Sequence, residues 1–228
     1  SSDVCSSDLS LALLDCGLKE THQWVGNEPT AVDPTGFDLM SPGGGGHGGG
    51  DEEAEGAVSH PRPFNPFLDS GAMAVCSILG RRHKGKEESA FHNSADEFKH
   101  IMAHLSRLSG GKKIGFNNSV YLGMCEKALK TLAVSHFMKG MGAYPESTEP
   151  THNSKLLFQT ESVELNCKQL AVMAATLANI GVCPTTGERV LSSEVMHSTL
   201  SLMYNCGLNQ SSGEWAFKVG IPSSTGSA

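Results

Sequence analysis

The chain has 228 residues, 39% of them hydrophobic and 6% aromatic, enough for one large domain or two small ones with a real core. A formal charge of −7 and a pI near 5.8 argue against nucleic acid and against an anionic membrane surface as partners. Seven cysteines, odd in number and with no C-x-x-C pair, read as reduced thiols in an intracellular compartment rather than as a disulfide framework.

In chain order, residues 1–9 (SSDVCSSDL) contain a near-repeat and are set aside from the fold as a non-native or artefactual segment. The apolar run over residues 9–14 is too short to span a membrane and has no basic flank. It reads as the end of a helix, followed by a turn at residues 26–29. Residues 41–60 (SPGGGGHGGGDEEAEGAVSH) form a Gly-rich, acidic insert that cannot bury enough apolar surface to order itself. Residues 94–108 predict a helix, opened by a Ser94/Glu97 capping box and striped by Phe98, Ile101, Met102, Leu105 and Leu108. Gly110 and Gly111 end it. A second helix is predicted over residues 119–138, with Val120, Met124, Ala128, Leu129 and Leu132 as its stripe. Asn166 and Gln169 form another capping box before a helix that Gly181 stops. Ser192 or Ser193 caps the next, which Gly207 stops. Residues 214–219 alternate and predict a strand.

Some motifs carry chemistry only in isolation. His47-Gly-Gly-Gly50 mimics a lipase oxyanion loop, but no G-x-S-x-G elbow accompanies it and its setting is a linker. His100 and His104 have a metal-ligand spacing without a third ligand, and read as a solvated helix face. Gly110-Gly-Lys-Lys113 lacks the full phosphate-loop order and reads as a helix-ending loop. Cys76, Cys125 and Cys167 sit among apolar residues and read as small buried hydrophobes.

The most specific stretch is residues 170–203, LAVMAATLANIGVCPTTGERVLSSEVMHSTLSLM, followed by CGL at 206–208 and GEWAFKVGIP at 213–222. Asn65-Pro-Phe-Leu-Asp69-Ser-Gly-Ala72 is similar to N-P-x-x-N-A-G-A, Val25-Gly-Asn-Glu-Pro29 to V-G-x-E-P-S-G, and Gly115-Phe-Asn-Asn118 to G-F-S-N. Together these resemble the glutaminase family, serine-dependent amidohydrolases that turn L-glutamine into L-glutamate and ammonia. The resemblance covers residues 10–228 apart from the insert and is strongest over 162–222. It implies an α+β, serine β-lactamase-like (DD-peptidase-like) domain, mostly helical in the part present and with its central antiparallel sheet incomplete. It further implies a partial domain over 10–228, divergent and truncated at both ends, dimers or tetramers as the assembly, and a cytoplasmic or mitochondrial location. No metal or organic cofactor is implied.

The resemblance also marks where the chemistry should be. A serine hydroxyl needs a base, which this superfamily supplies as a lysine three residues later. Ser2 aligns with that serine, but Cys5 stands at the lysine. The positions that would cradle glutamine are all substituted: Asp69 for an Asn, Met124 for a Glu, Thr131 for an Asn, Leu157 and Asn209 for tyrosines, and Ser227 in the K-S-G-V start, which also lacks its lysine. The expectation is a family member without activity. The alternatives are an active glutaminase whose Ser-x-x-Lys segment is missing from this sequence, a non-catalytic subunit that binds an active relative, and a different amide or ester hydrolase on the same scaffold. L-glutamine is the partner if the site is active.

Overall fold

The computed structural model describes residues 2–29, 37–42, 58–79 and 94–224. The insert expected over 41–60, with its His47 motif, lies largely outside the described residues, as does Ser227.

Two helices form the centre. α1 (Ser2–Cys16) is buried continuously from Ser6 to Leu13, with Leu9, Leu11, Ala12 and Leu13 as its apolar groups, so neighbouring elements enclose it on all sides there. α3 (Asp69–Leu79) is the same kind of helix, buried from Met73 to Leu79 without interruption. These two pack on each other. α1 also meets α2 (Leu18–Trp24), α4 (Ser94–Leu108) and α9 (Ser193–Cys206). α4 is amphipathic and presents Ile101, Leu105 and Leu108 to the core. The helix continues back through the segment that the sequence reading sets aside: Ser6, Ser7, Asp8 and Leu9 are all buried.

α3 begins where the chain folds tightly on itself. Gly71 lies so close to the preceding loop that a Cβ there would sit 1.8 Å from the Asn65 carbonyl oxygen. Asn65 in turn donates its amide to the Glu28 carbonyl, and Gly26 and Glu28 donate to Pro63 and Phe64. The V-G-N-E-P motif is therefore tied by hydrogen bonds to Asn65, the first residue of N-P-x-x-D-S-G, and to the two residues before it.

A small antiparallel sheet joins β1 (Gly115–Phe116) to β2 (Val163–Glu164), with Gly115 opposite Glu164 and Phe116 opposite Val163. Between them run α5 (Asn118–Glu126), α6 (Leu129–Gly140) and α7 (Pro150–Glu161). α8 (Cys167–Ala178) opens with the expected capping box, Asn166 and Gln169 satisfying each other's backbone. After α8, Gly181 has φ +77°, and a Cβ there would meet the Leu191 carbonyl oxygen at 2.4 Å, so glycine is required at this bend. A bridge between Val182 and Arg189 leads to α9, capped by Ser192. A 3-10 turn (Asn209–Ser211) and α10 (Ser212–Lys218) complete the described chain.

Four expectations are corrected. The single helix over 119–138 is two. Lys127 N–H is shared between the Gly123 and Met124 carbonyls, and the helix restarts at Leu129. The restart turns Val134 and Met138 inward and leaves Val120 and Leu129 exposed. The strand over 214–219 is α10 instead. Six residues alternate too briefly to outweigh local helical hydrogen bonds and the Glu214–Lys218 ion pair one turn apart. His104 is not on a solvated face but buried at the core, while half-buried His100 pairs with Asp15 at 2.6 Å. Of the three cysteines read as buried, Cys76 is, Cys125 is half-buried, and Cys167 is exposed at the first turn of α8.

Candidate active site

The positions expected to carry chemistry lie on several different helices, two of them at helix starts. Ser2 and Cys5 lie in the first two turns of α1, one helical turn apart, and their side chains are outside the described residues. Asp69 is the first residue of α3. Its Oδ2 lies 3.4 Å from Lys130 Nζ in the first turn of α6, beside Thr131. The structure thus brings the Asp69 and Thr131 positions to neighbouring helix starts, and gives Asp69 a cationic partner that the sequence did not announce.

Met124, on α5, receives a weak contact from the Ser162 hydroxyl, 3.8 Å from its sulfur. Leu157, on α7, is only 5% exposed and belongs to the apolar core. Asn209 occupies the 3-10 turn with φ +54°, its side chain in solvent. Ser224, close before Ser227, has its hydroxyl 3.0 Å from that of Ser6, so the end of the described chain meets α1. Met, Leu and Thr carry no charge, and the Asp69 carboxylate already faces Lys130. Among the described residues at these positions, none presents an uncommitted carboxylate.

A cavity of about 470 Å³ lies between α1, α8 and α9, with Ser6, Ser7 and Ser10 on one wall and Leu170, Ala174 and Leu177 on another. Ser10 Oγ is 3.0 Å from His104 Nε2, a pair the sequence reading missed. It has the composition of a nucleophile and base, but the hydrogen bonds run the other way. Ser10 gives its proton to the Ser7 carbonyl at 2.7 Å, so its oxygen accepts from Nε2–H. Nδ1 is then bare and has no partner to orient the ring. Burial, with the Arg107 charge beside it, pushes His104 down to about 3. The pair is a polar contact within the core. Cys183 is a second group without a sequence signal. Burial pushes its thiol up, but hydrogen bonds from the Thr185 and Thr186 hydroxyls and backbone amides outweigh that and bring it down to about 6. It is fully enclosed by its turn. Among the described residues no three His, Cys, Asp or Glu side chains are placed to hold a metal ion, and no helix is long and apolar enough to cross a membrane.

A family profile described as Glutaminase matches residues 53–228. The chain belongs to the glutaminase family. It is 39% identical over 166 residues to putative glutaminase 2 of Caenorhabditis elegans, a match covering 72% of this chain and 26% of that protein. It is 32% identical over 219 residues to a glutaminase of Clostridium tetani, covering 96% of this chain and 62% of that one. The structure superposes on that of the probable glutaminase ybaS with a TM-score of 0.77 and 23% identity, over 99% of this chain and 64% of the other. The chain therefore spans between about a quarter and two thirds of the length of these relatives. The fold is the β-lactamase-like one that the resemblance implies, helical in the main with a small two-stranded antiparallel sheet.

Proposed function

We propose that this glutaminase-family chain keeps the scaffold and not the hydrolysis: a non-catalytic member that works inside the cell by associating with itself or with an active glutaminase. The observation that carries the reading is Met124. Glutamine is a zwitterion, and the position where the resemblance expects a carboxylate to meet its ammonium holds a thioether packed toward Ser162. No hydrogen bond or charge is offered there, and an ammonium stripped of water without a partner is costly to bind. Cys5 adds to this. A neutral lysine amine takes a serine proton, whereas a thiol at neutral pH holds its own. Leu157, enclosed among apolar side chains, brings no phenol to the cleft.

The test is direct. Purified protein given millimolar L-glutamine should release no ammonia above buffer, and calorimetry should record no heat of binding. Saturable turnover that disappears in Ser2→Ala would refute the reading and return the chain to the active class. Affinity-tagged chain mixed with an active glutaminase should retain it on the resin, and failure to do so, with the chain monomeric by light scattering, would remove the associative half of the proposal.

A further inference from the structure

α8 turns an apolar stripe toward a cavity rather than toward another helix. Leu170, Ala174 and Leu177 recur at helical spacing and line the space of about 470 Å³ between α1, α8 and α9. Leu170 is 37% exposed and Ala174 is open as well, whereas Met173 and Thr176, on the adjoining face, are buried. Thr176 donates to the Leu108 carbonyl on α4 at 3.0 Å, which fixes how α8 is turned. The chain at residues 222–224 supplies a further wall. Close-packed interiors seldom leave room for more than a water molecule, and this cavity has the dimensions of a small-molecule site.

The walls say what it takes. Every described side chain on them is uncharged, so nothing there balances an ion, and a zwitterion such as glutamine does not suit it. Asp69, Met124, Thr131, Leu157 and Asn209, the positions aligned with glutamine contacts, lie outside these walls. Most of the lining is carbon, against which water lacks hydrogen-bond partners and an apolar body does not. The polar groups sit on α1 and on the tail. Ser10 is committed, giving its proton to the Ser7 carbonyl and accepting from His104. Ser6 and Ser224 differ. Their hydroxyls are 3.0 Å apart and spend one proton between them, which leaves the pair one proton and spare lone pairs to offer.

We infer that this cavity is a binding site for an uncharged amphiphile. Its hydrocarbon body, on the order of a dozen non-hydrogen atoms, lies along the α8 stripe, and a single hydroxyl or carbonyl group meets the Ser6–Ser224 pair. The inference does not rest on whether the chain hydrolyses glutamine, so it stands or falls separately from the proposal above.

The test uses the full chain and 1-alkanols from hexanol to dodecanol, each below its solubility limit. Calorimetry should show one saturable site whose affinity rises about fourfold per methylene and levels off once the tail outgrows the cavity. Decanoate and decylammonium carry a charge at the head of a ten-carbon chain, and should bind at least about tenfold more weakly than 1-decanol. Ser6→Ala should weaken 1-decanol about fivefold and keep the same step per methylene. Ala174→Phe puts a ring into the cavity from an open position on α8 and should abolish binding. Ala178→Phe, the same change on the same helix but outside the cavity, should leave it intact. The inference is overturned if the parent chain shows no saturable site, or if the charged amphiphiles match 1-decanol. It is equally overturned if Ser6→Ala, or Ala174→Phe folded by circular dichroism, binds 1-decanol as the parent does.

Discussion

Replacing His104 should flatten the acid side of the stability profile. The imidazole is buried beneath α1, touches only Ser10 through Nε2, and ionises in the fold near 3 instead of 6.5. In the unfolded chain it takes up a proton as pH falls below 6.5, while in the folded chain it does not. The unfolded state therefore binds more protons between about 3 and 6.5, and stability drains away as pH falls through that window. Each pH unit costs about 1.4 kcal/mol, so moving from pH 7.5 to 5.0 should remove about 2 kcal/mol through this one residue. His104→Gln keeps an amide to meet Ser10 but cannot titrate. Urea unfolding of both proteins at pH 7.5, 6.5, 5.5 and 5.0 isolates the effect as a difference, because every other group is shared. The gap between them should narrow by about 2 kcal/mol toward acid. Parallel curves would show that the ring is solvated or paired, and the reasoning from burial would fail.

Asp8 should act with the opposite sign. Burial raises its carboxyl from 3.8 to about 8, with a hydrogen bond between it and Thr160 offsetting part of the rise, so the folded state holds a proton that the unfolded state loses as pH rises through 4 to 8. Asp8→Asn should raise stability at pH 7 by up to about 4 kcal/mol and leave it unchanged below pH 4. Thermal melts at pH 4 and 7 decide, and no gain at pH 7 would place residues 6–9 outside the core. Gly71→Ala drives a methyl into the Asn65 carbonyl and should cost about 3 kcal/mol or more, or prevent soluble expression. A melting temperature within a degree of the parent would refute the close approach.

What the sequence made legible was local and periodic. The helix at 94–108 and the Asn166 cap are visible because apolar spacing and capping residues act within one or two turns. The break at Lys127–Ala128 has no Gly or Pro to announce it; it follows from which face α3 and α7 need from α6. His104 misled because its own helix suggests a polar face, and the burial comes from α1, some ninety residues away. The site positions could be located by motif, but the pairing of Asp69 with Lys130 is a contact between two helices and left no trace in either motif.

The first helix of the chain is also the middle of its core, and one of the helices that encloses it, α9, begins at Ser193. On a ribosome adding about 5–20 residues each second, α1 would leave the exit tunnel on the order of ten to forty seconds ahead of that partner. For that interval Leu9, Leu11 and Leu13 have only part of their final shelter. The yield of such a nascent chain should fall where synthesis is slow or holdase capacity is short.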